Sequence, residues 1–134
     1  MILKLPYYLI LTAFLFSNTA CNKALNQNKM SENEKLLRHV VIFKFKDSSS
    51  PQNVKKVADT FADLKNKIPQ IADFEWGINM SKEKLDQGFT HCFILTFKSE
   101  QDADAYQEHP AHRQFQQVLG PHMEKVFVVD YWTK

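Results

Sequence analysis

The segment Tyr106-Gln107-Glu108-His109-Pro110-Ala111-His112 concentrates more proton chemistry than any other stretch of this 134-residue chain. A phenol and two imidazoles flank a proline that must interrupt a helix, since proline has no N–H and clashes with the preceding turn. A neutral imidazole accepts a proton near pH 7, and a phenol donates a hydrogen bond to an oxygen that is gaining charge. His112 therefore reads as a general base for an acidic proton next to a carbonyl, with Tyr106 as oxyanion donor. It would sit about three residues into a helix beginning at Pro110, whose positive end disfavours the imidazolium. The same pair also reads as a hydrogen-bonded clasp across the helix break, with no chemistry.

Four further residues are candidates for binding a ligand. His39 and His91 share the parity of the large aromatics in their apolar runs and are placed to line a pocket mouth or to sit satisfied in the core. Trp76 is the aromatic most suited to a cavity wall, while Phe74, Phe93 and Phe97 read as core. His109 reads as a ligand contact or as the cap of the half-helix after Pro110. His122, after Gly120-Pro121, is expected on the surface. His109-x-x-His112 lacks the i, i+4 spacing that puts two imidazoles on one helical face, and Pro110 separates them. No cofactor, metal or haem, is expected.

Positioning these groups requires a small set of elements. Arg38 to Lys46 is a strand by its β-branched and aromatic content. Ser50 and Pro51 open a helix whose apolar face runs from Val54 to Ile68. Ile71 to Met80 alternates as a second strand, Ser81 to Gly88 is a polar loop, and His91 to Lys98 is a third strand. Ser99-x-x-Asp102 opens a helix that Pro110 breaks and restarts, and Glu124 to Trp132 is the last strand. The order β-α-β-β-α-β predicts a ferredoxin-like α+β unit. Its strands are apolar on both sides, yet two helices cover only one face of the sheet. The uncovered face exceeds what a monomer tolerates, so a homodimer is expected, with the two sheets facing each other in a barrel.

The first 20 residues form a short positive segment at Lys4 and an apolar run, Leu5 to Phe16, too short for a span of about 20 apolar residues. Small residues then precede Cys21, a pattern similar to a lipoprotein signal in which Cys21 is acylated. Residues 21–35 read as a polar tether, roughly 20 Å long as a flexible coil. Localisation is thus expected at the bacterial cell envelope, lipid-anchored and facing the periplasm or the outside. Secretion after ordinary cleavage is the alternative, and a cytoplasmic start at Met30 a third. Without residues 1–20 there are 16 basic and 15 acidic side chains, a balance that suggests no nucleic-acid partner. Cys92, inside a strand, reads as a small buried hydrophobe. Residues 36–134 make one domain.

Arg38 to Asp47, Glu75-Trp76-Gly77, Gly88-Phe89-Thr90-His91, Tyr106 to His112 and Glu124-Lys125-Val126 together resemble the stress-responsive A/B barrel (Dabb) domain. The resemblance spans residues 36–134 and implies a dimeric α/β barrel. Most bacterial members have no assigned activity. A plant member closes a linear polyketide by aldol chemistry, and its tyrosine and histidine correspond to Tyr106 and His112, with further pocket histidines at His39 and His91. The leading expectation is a domain that binds a small, partly apolar phenolic or keto compound. An aldol, cyclase or lyase enzyme and a non-catalytic dimerisation module are the alternatives.

Overall fold

Residues 35–134 are described by a computed structural model, in which eight elements follow one another. They are β1 (Leu37–Phe45), α1 (Pro51–Ala62), α2 (Leu64–Lys67), β2 (Asp73–Ile78), β3 (His91–Phe97), α3 (Glu100–Glu108), α4 (Pro110–Leu119) and β4 (Met123–Trp132). The segment expected to be a signal, Cys21 and the expected tether up to Glu34 lie outside the described residues.

The strands form one sheet in the order β2-β3-β1-β4, with every neighbouring pair antiparallel. This is the ferredoxin-like α+β arrangement that the element order predicts. Along β1, Leu37, His39, Val41, Phe43 and Phe45 are buried, while the residues between them are half-buried. The period of two puts the first set against the helices and the second on the other face. Aromatic packing dominates the core. Phe61 of α1 stacks on Phe115 of α4 with ring centroids 4.3 Å apart, and meets Phe93 of β3 at 4.7 Å. Burying each such ring stabilises the fold by ~1.5–3 kcal/mol, so this cluster fixes how the helices sit on the sheet.

Local chemistry sets the helix ends. The Ser50 hydroxyl accepts a hydrogen bond from the Asn53 amide at 3.2 Å, and Pro51 occupies the first helical position. The expected single helix from Pro51 to Ile68 is interrupted at Asp63, where ψ relaxes to −12°. The Asp63 carboxylate turns to Lys67 at 2.8 Å and Asn66 at 3.0 Å. Leu64 and Ile68 stay buried, so the apolar face continues through the break. Strand β2 is shorter than the alternation suggests, because Ile71 closes a turn onto the Ile68 carbonyl at 3.1 Å. In the loop before β3, Lys84, Gln87 and Gly88 all have positive φ. At Gly88 the angle is 86°, and its amide donates to the Asp86 carboxylate at 2.7 Å. Only glycine adopts that backbone freely.

The helices leave much of the sheet bare. On the open face Phe127 and Tyr131 of β4 are 52% and 47% exposed, beside half-buried Val40 and Ile42 of β1. Val126 and Val128 are also exposed on the helix-facing side of β4, because α4 stops short of that edge.

Candidate functional site

The gap between α4 and β4 is a cleft of about 450 Å³. Phe43 and Val41 of β1 form its floor, Phe115 and Leu119 of α4 one wall, and Val126 and Val128 of β4 the other. Its polar side chains come from four elements: His39 of β1, Tyr106 and Gln107 of α3, His112 and Gln116 of α4, and Asp130 of β4.

Register brings the first pair together. Asp130 is the cross-strand partner of His39, and same-face partners across an antiparallel pair lie in side-chain contact. The His39 Nδ1 sits 2.6 Å from Asp130 Oδ1. A carboxylate only accepts, so the Nδ1 proton is donated to it and the lone pair or second proton of His39 stands on Nε2. The His39 side chain is 10% exposed and that of Asp130 56%, which places the carboxylate at the mouth and the ring inside.

The broken helix brings the second pair. His109 is extended, with ψ 134°, as a residue before proline must be. Its Nδ1 accepts from the Ala111 amide at 3.1 Å, so His109 caps α4 and does not line the cleft. The chain thereby restarts with Tyr106 and His112 side by side, ring centroids 4.3 Å apart. His112 Nδ1 donates to the Gln107 carbonyl at 3.2 Å, which fixes the tautomer that leaves Nε2 with its lone pair. Burial pushes the His112 pKa below the ordinary histidine value, against the pull of the Gln107 carbonyl and with help from His39. Burial drives the Tyr106 phenol far above its usual range, and the Asp130 charge adds to this. The tyrosine therefore stays protonated, a hydrogen-bond donor at every working pH. Its ring also meets His39 edge-on at 5.8 Å.

His91 does not join this group. It pairs with Phe43, four residues along β1 from His39, or roughly 13 Å at about 3.3 Å per residue. Its Nδ1 meets the Thr90 hydroxyl at 2.8 Å, and its ring lies parallel to Trp76 at 6.2 Å and edge-on to Phe45 at 5.0 Å. Trp76 belongs to that stack, 41% exposed, and not to the cleft. The expectation of one pocket for all these residues thus divides into two regions, because strand register separates His39 from His91. His122 contacts the Ser49 hydroxyl at 3.2 Å, away from both. Asp130 was not singled out from the sequence. The available signal was a lone acid inside the apolar run Val126 to Trp132, at the parity of Val126 and Val128.

A larger hollow, about 610 Å³, lies on the open face under the loop before β3. Ile42, Leu85, Phe89 and Phe127 line it with loop polar groups, and no histidine or tyrosine reaches it. The smaller cleft holds the reactive groups and is the candidate site. Among the described residues no three His, Cys, Asp or Glu side chains are grouped to hold a metal ion.

Comparison with known proteins agrees with this architecture. The profile of the Stress responsive A/B Barrel Domain matches residues 37–133. The stress-response A/B barrel domain-containing protein HS1 of Arabidopsis thaliana is 37% identical over 102 residues, 76% of this chain and 94% of that protein. Olivetolic acid cyclase of Cannabis sativa is 32% identical over 95 residues, 71% of this chain and 94% of the cyclase. Among solved structures, hydroxynitrile lyase from Passiflora edulis aligns with a TM-score of 0.71 at 25% identity, covering 76% of this chain and 96% of the lyase. A dimeric protein of unknown function and ferredoxin-like fold from Bacteroides fragilis aligns at 0.61 and 25% identity, over 73% of this chain and 96% of that one. With its domain matched almost end to end, the chain belongs to the stress-responsive A/B barrel domain family.

Proposed function

We propose that the cleft between α4 and β4 binds a small, partly apolar compound carrying a keto or phenolic oxygen. The observation that carries this is the convergence of Tyr106, His112, His39 and Asp130 on a largely apolar cleft of about 450 Å³. Its volume is within the range of small-molecule sites, and a few convergent polar groups on apolar walls are what fixes an oriented ligand. A second reading is favoured by one further observation: both imidazoles have Nδ1 committed to an acceptor and present Nε2 for proton transfer. On that reading the site removes a proton next to the ligand's carbonyl, chemistry of the aldol, cyclase or lyase kind. A relative that is a cyclase and a structural neighbour that is a lyase support it.

Saturation-transfer NMR with 2′,4′-dihydroxyacetophenone and a panel of phenolic ketones tests the binding. Wild-type protein is expected to bind at least one, and Tyr106→Phe to weaken it at unchanged melting temperature. Lost stability with unchanged binding would instead make Tyr106 structural. Deuterium incorporation at the acetyl methyl in D₂O tests the proton transfer.

The domain is also proposed to work as an envelope-anchored homodimer, with Cys21 acylated and the open faces of two sheets packed together. The exposed Phe127 and Tyr131 and the dimeric neighbour support the second part. Sedimentation of Phe127→Asp should give monomer where the wild type gives dimer. An unmodified Cys21 in the intact mass of membrane-extracted protein would remove the anchor.

A further inference from the structure

The two imidazoles of the cleft are not equivalent. His39 faces Asp130 from β4 at 2.6 Å and Tyr106 from α3, with the uncharged Leu95 beside it on β3. His112 faces Tyr106, the Gln107 carbonyl and Phe115, and has no carboxylate. An ion is stabilised by an opposite charge in contact and destabilised by a like charge nearby. Tyr106 lies against both rings, and of the two imidazoles that line the cleft it is His39 that has the carboxylate.

Building on the proton-transfer reading above, we propose that His39, positioned by Asp130, is the general acid partner of His112. In the step, the carbon–hydrogen bond next to the carbonyl breaks and its proton passes to His112 Nε2. The bonding electrons form the carbon–carbon double bond, the carbonyl π pair moves onto oxygen, and the Nε2 proton of His39 transfers to that oxygen. The ketone becomes its enol. The positive charge moves from His39 to His112, so the cleft's total charge is unchanged throughout. Tyr106 keeps its proton and only donates a hydrogen bond to the oxygen. Asp130 is a positioning residue: it holds the Nδ1 proton so that Nε2 points its proton at the ligand. Two titratable groups whose environments pull in opposite directions are the usual way one site supplies both an acid and a base.

Two measurements on the full chain decide this. ¹⁵N-histidine NMR reads which ring nitrogens carry protons. His39 Nδ1 should be protonated and hydrogen-bonded to Asp130, and an unprotonated Nδ1 overturns the assignment. Deuterium exchange of 2′,4′-dihydroxyacetophenone is then followed against pH. Its rate should rise as His112 loses its proton and fall as His39 does. In Asp130→Asn the falling limb should move to lower pH, since an opposite charge has been removed, while the rising limb stays. A purely structural Asp130 would lower the rate at every pH and move neither limb. His39→Gln should abolish the falling limb, and it covers the case in which the Asn variant folds poorly. Exchange by wild type with both limbs unmoved in these variants overturns the acid role alone. If wild-type protein exchanges none of the phenolic ketones, the underlying reading fails and takes this proposal with it.

Discussion

Two buried histidines on the same sheet face, His39 and His91, end in opposite circumstances. Both are 8% exposed and both lie among aromatic rings. His39 faces the gap that α4 leaves beside β4, with a carboxylate across the ladder. His91 is closed in by Trp76, Phe93 and Phe45, and bonds only its neighbour's hydroxyl. The difference lies neither in residue type nor in burial. It lies in whether the sheet edge beside the ring is covered and whether a charged partner shares its register. A reactive end and a filled end can thus be built from one alternating pattern.

The sharpest way to break this comparison is to exchange the fates of the two ends by mutation. His112→Gln should cut deuterium exchange by about 10²–10⁴-fold, the usual worth of a positioned base, with little change in melting temperature. His91→Ala should do the reverse. It empties a packed aromatic site and costs about 2 kcal/mol, a fall of roughly 10 °C for a domain of this size, at unchanged activity per folded molecule. Thermal melts and exchange rates on both variants check it. An inactive His91→Ala at full stability would merge the two regions again.

A pH titration of stability sharpens the comparison in a different direction. Burial lowers the pKa of both His91 and His112 from the ordinary 6.5. Below that value the unfolded chain takes up protons that the folded chain refuses, so stability rises with pH in that window. The contribution is fully present above pH 6.5 and is lost as pH falls toward the folded-state values. Denaturant midpoints from pH 7.5 to 5 should therefore decline. His91→Gln and His112→Gln should each flatten the decline, and an unaltered slope in both would mean that neither ring is held neutral.

The sequence made the fold legible because its signals were local and consistent. Alternation along β1, the Ser50-Pro51 start and the obligatory stop at Pro110 each dictate their elements without long-range information. Tyr106 and His112 were legible for the same reason, since the break that joins them lies within seven residues. What was not legible depended on pairing. Nothing short of register puts Asp130 opposite His39, 91 positions earlier, or His91 opposite Phe43. The gap beside β4 was equally hidden, because it follows from where α4 ends relative to an edge strand. The loosened turn at Asp63 was hidden too, because the apolar face runs through it without a gap from Phe61 to Leu64 and Ile68.

The smallest predicted effect concerns the hinge between Tyr106 and His112. His109 spends its Nδ1 on the Ala111 amide, one of the unpaired donors at the start of α4. Replacing a side-chain cap by alanine typically costs about 1 kcal/mol, or roughly 4–8 °C here. His109→Ala should show that loss, and His109→Asn should recover most of it, because asparagine caps equally well. Exchange activity should fall only a few-fold in the alanine variant, through looser placement of His112 in the first turn, and should return with asparagine. A large activity loss that asparagine fails to restore would give His109 a direct part with the ligand. The reactive end would then extend past the proline, and the cap would be a consequence of the site and not its support.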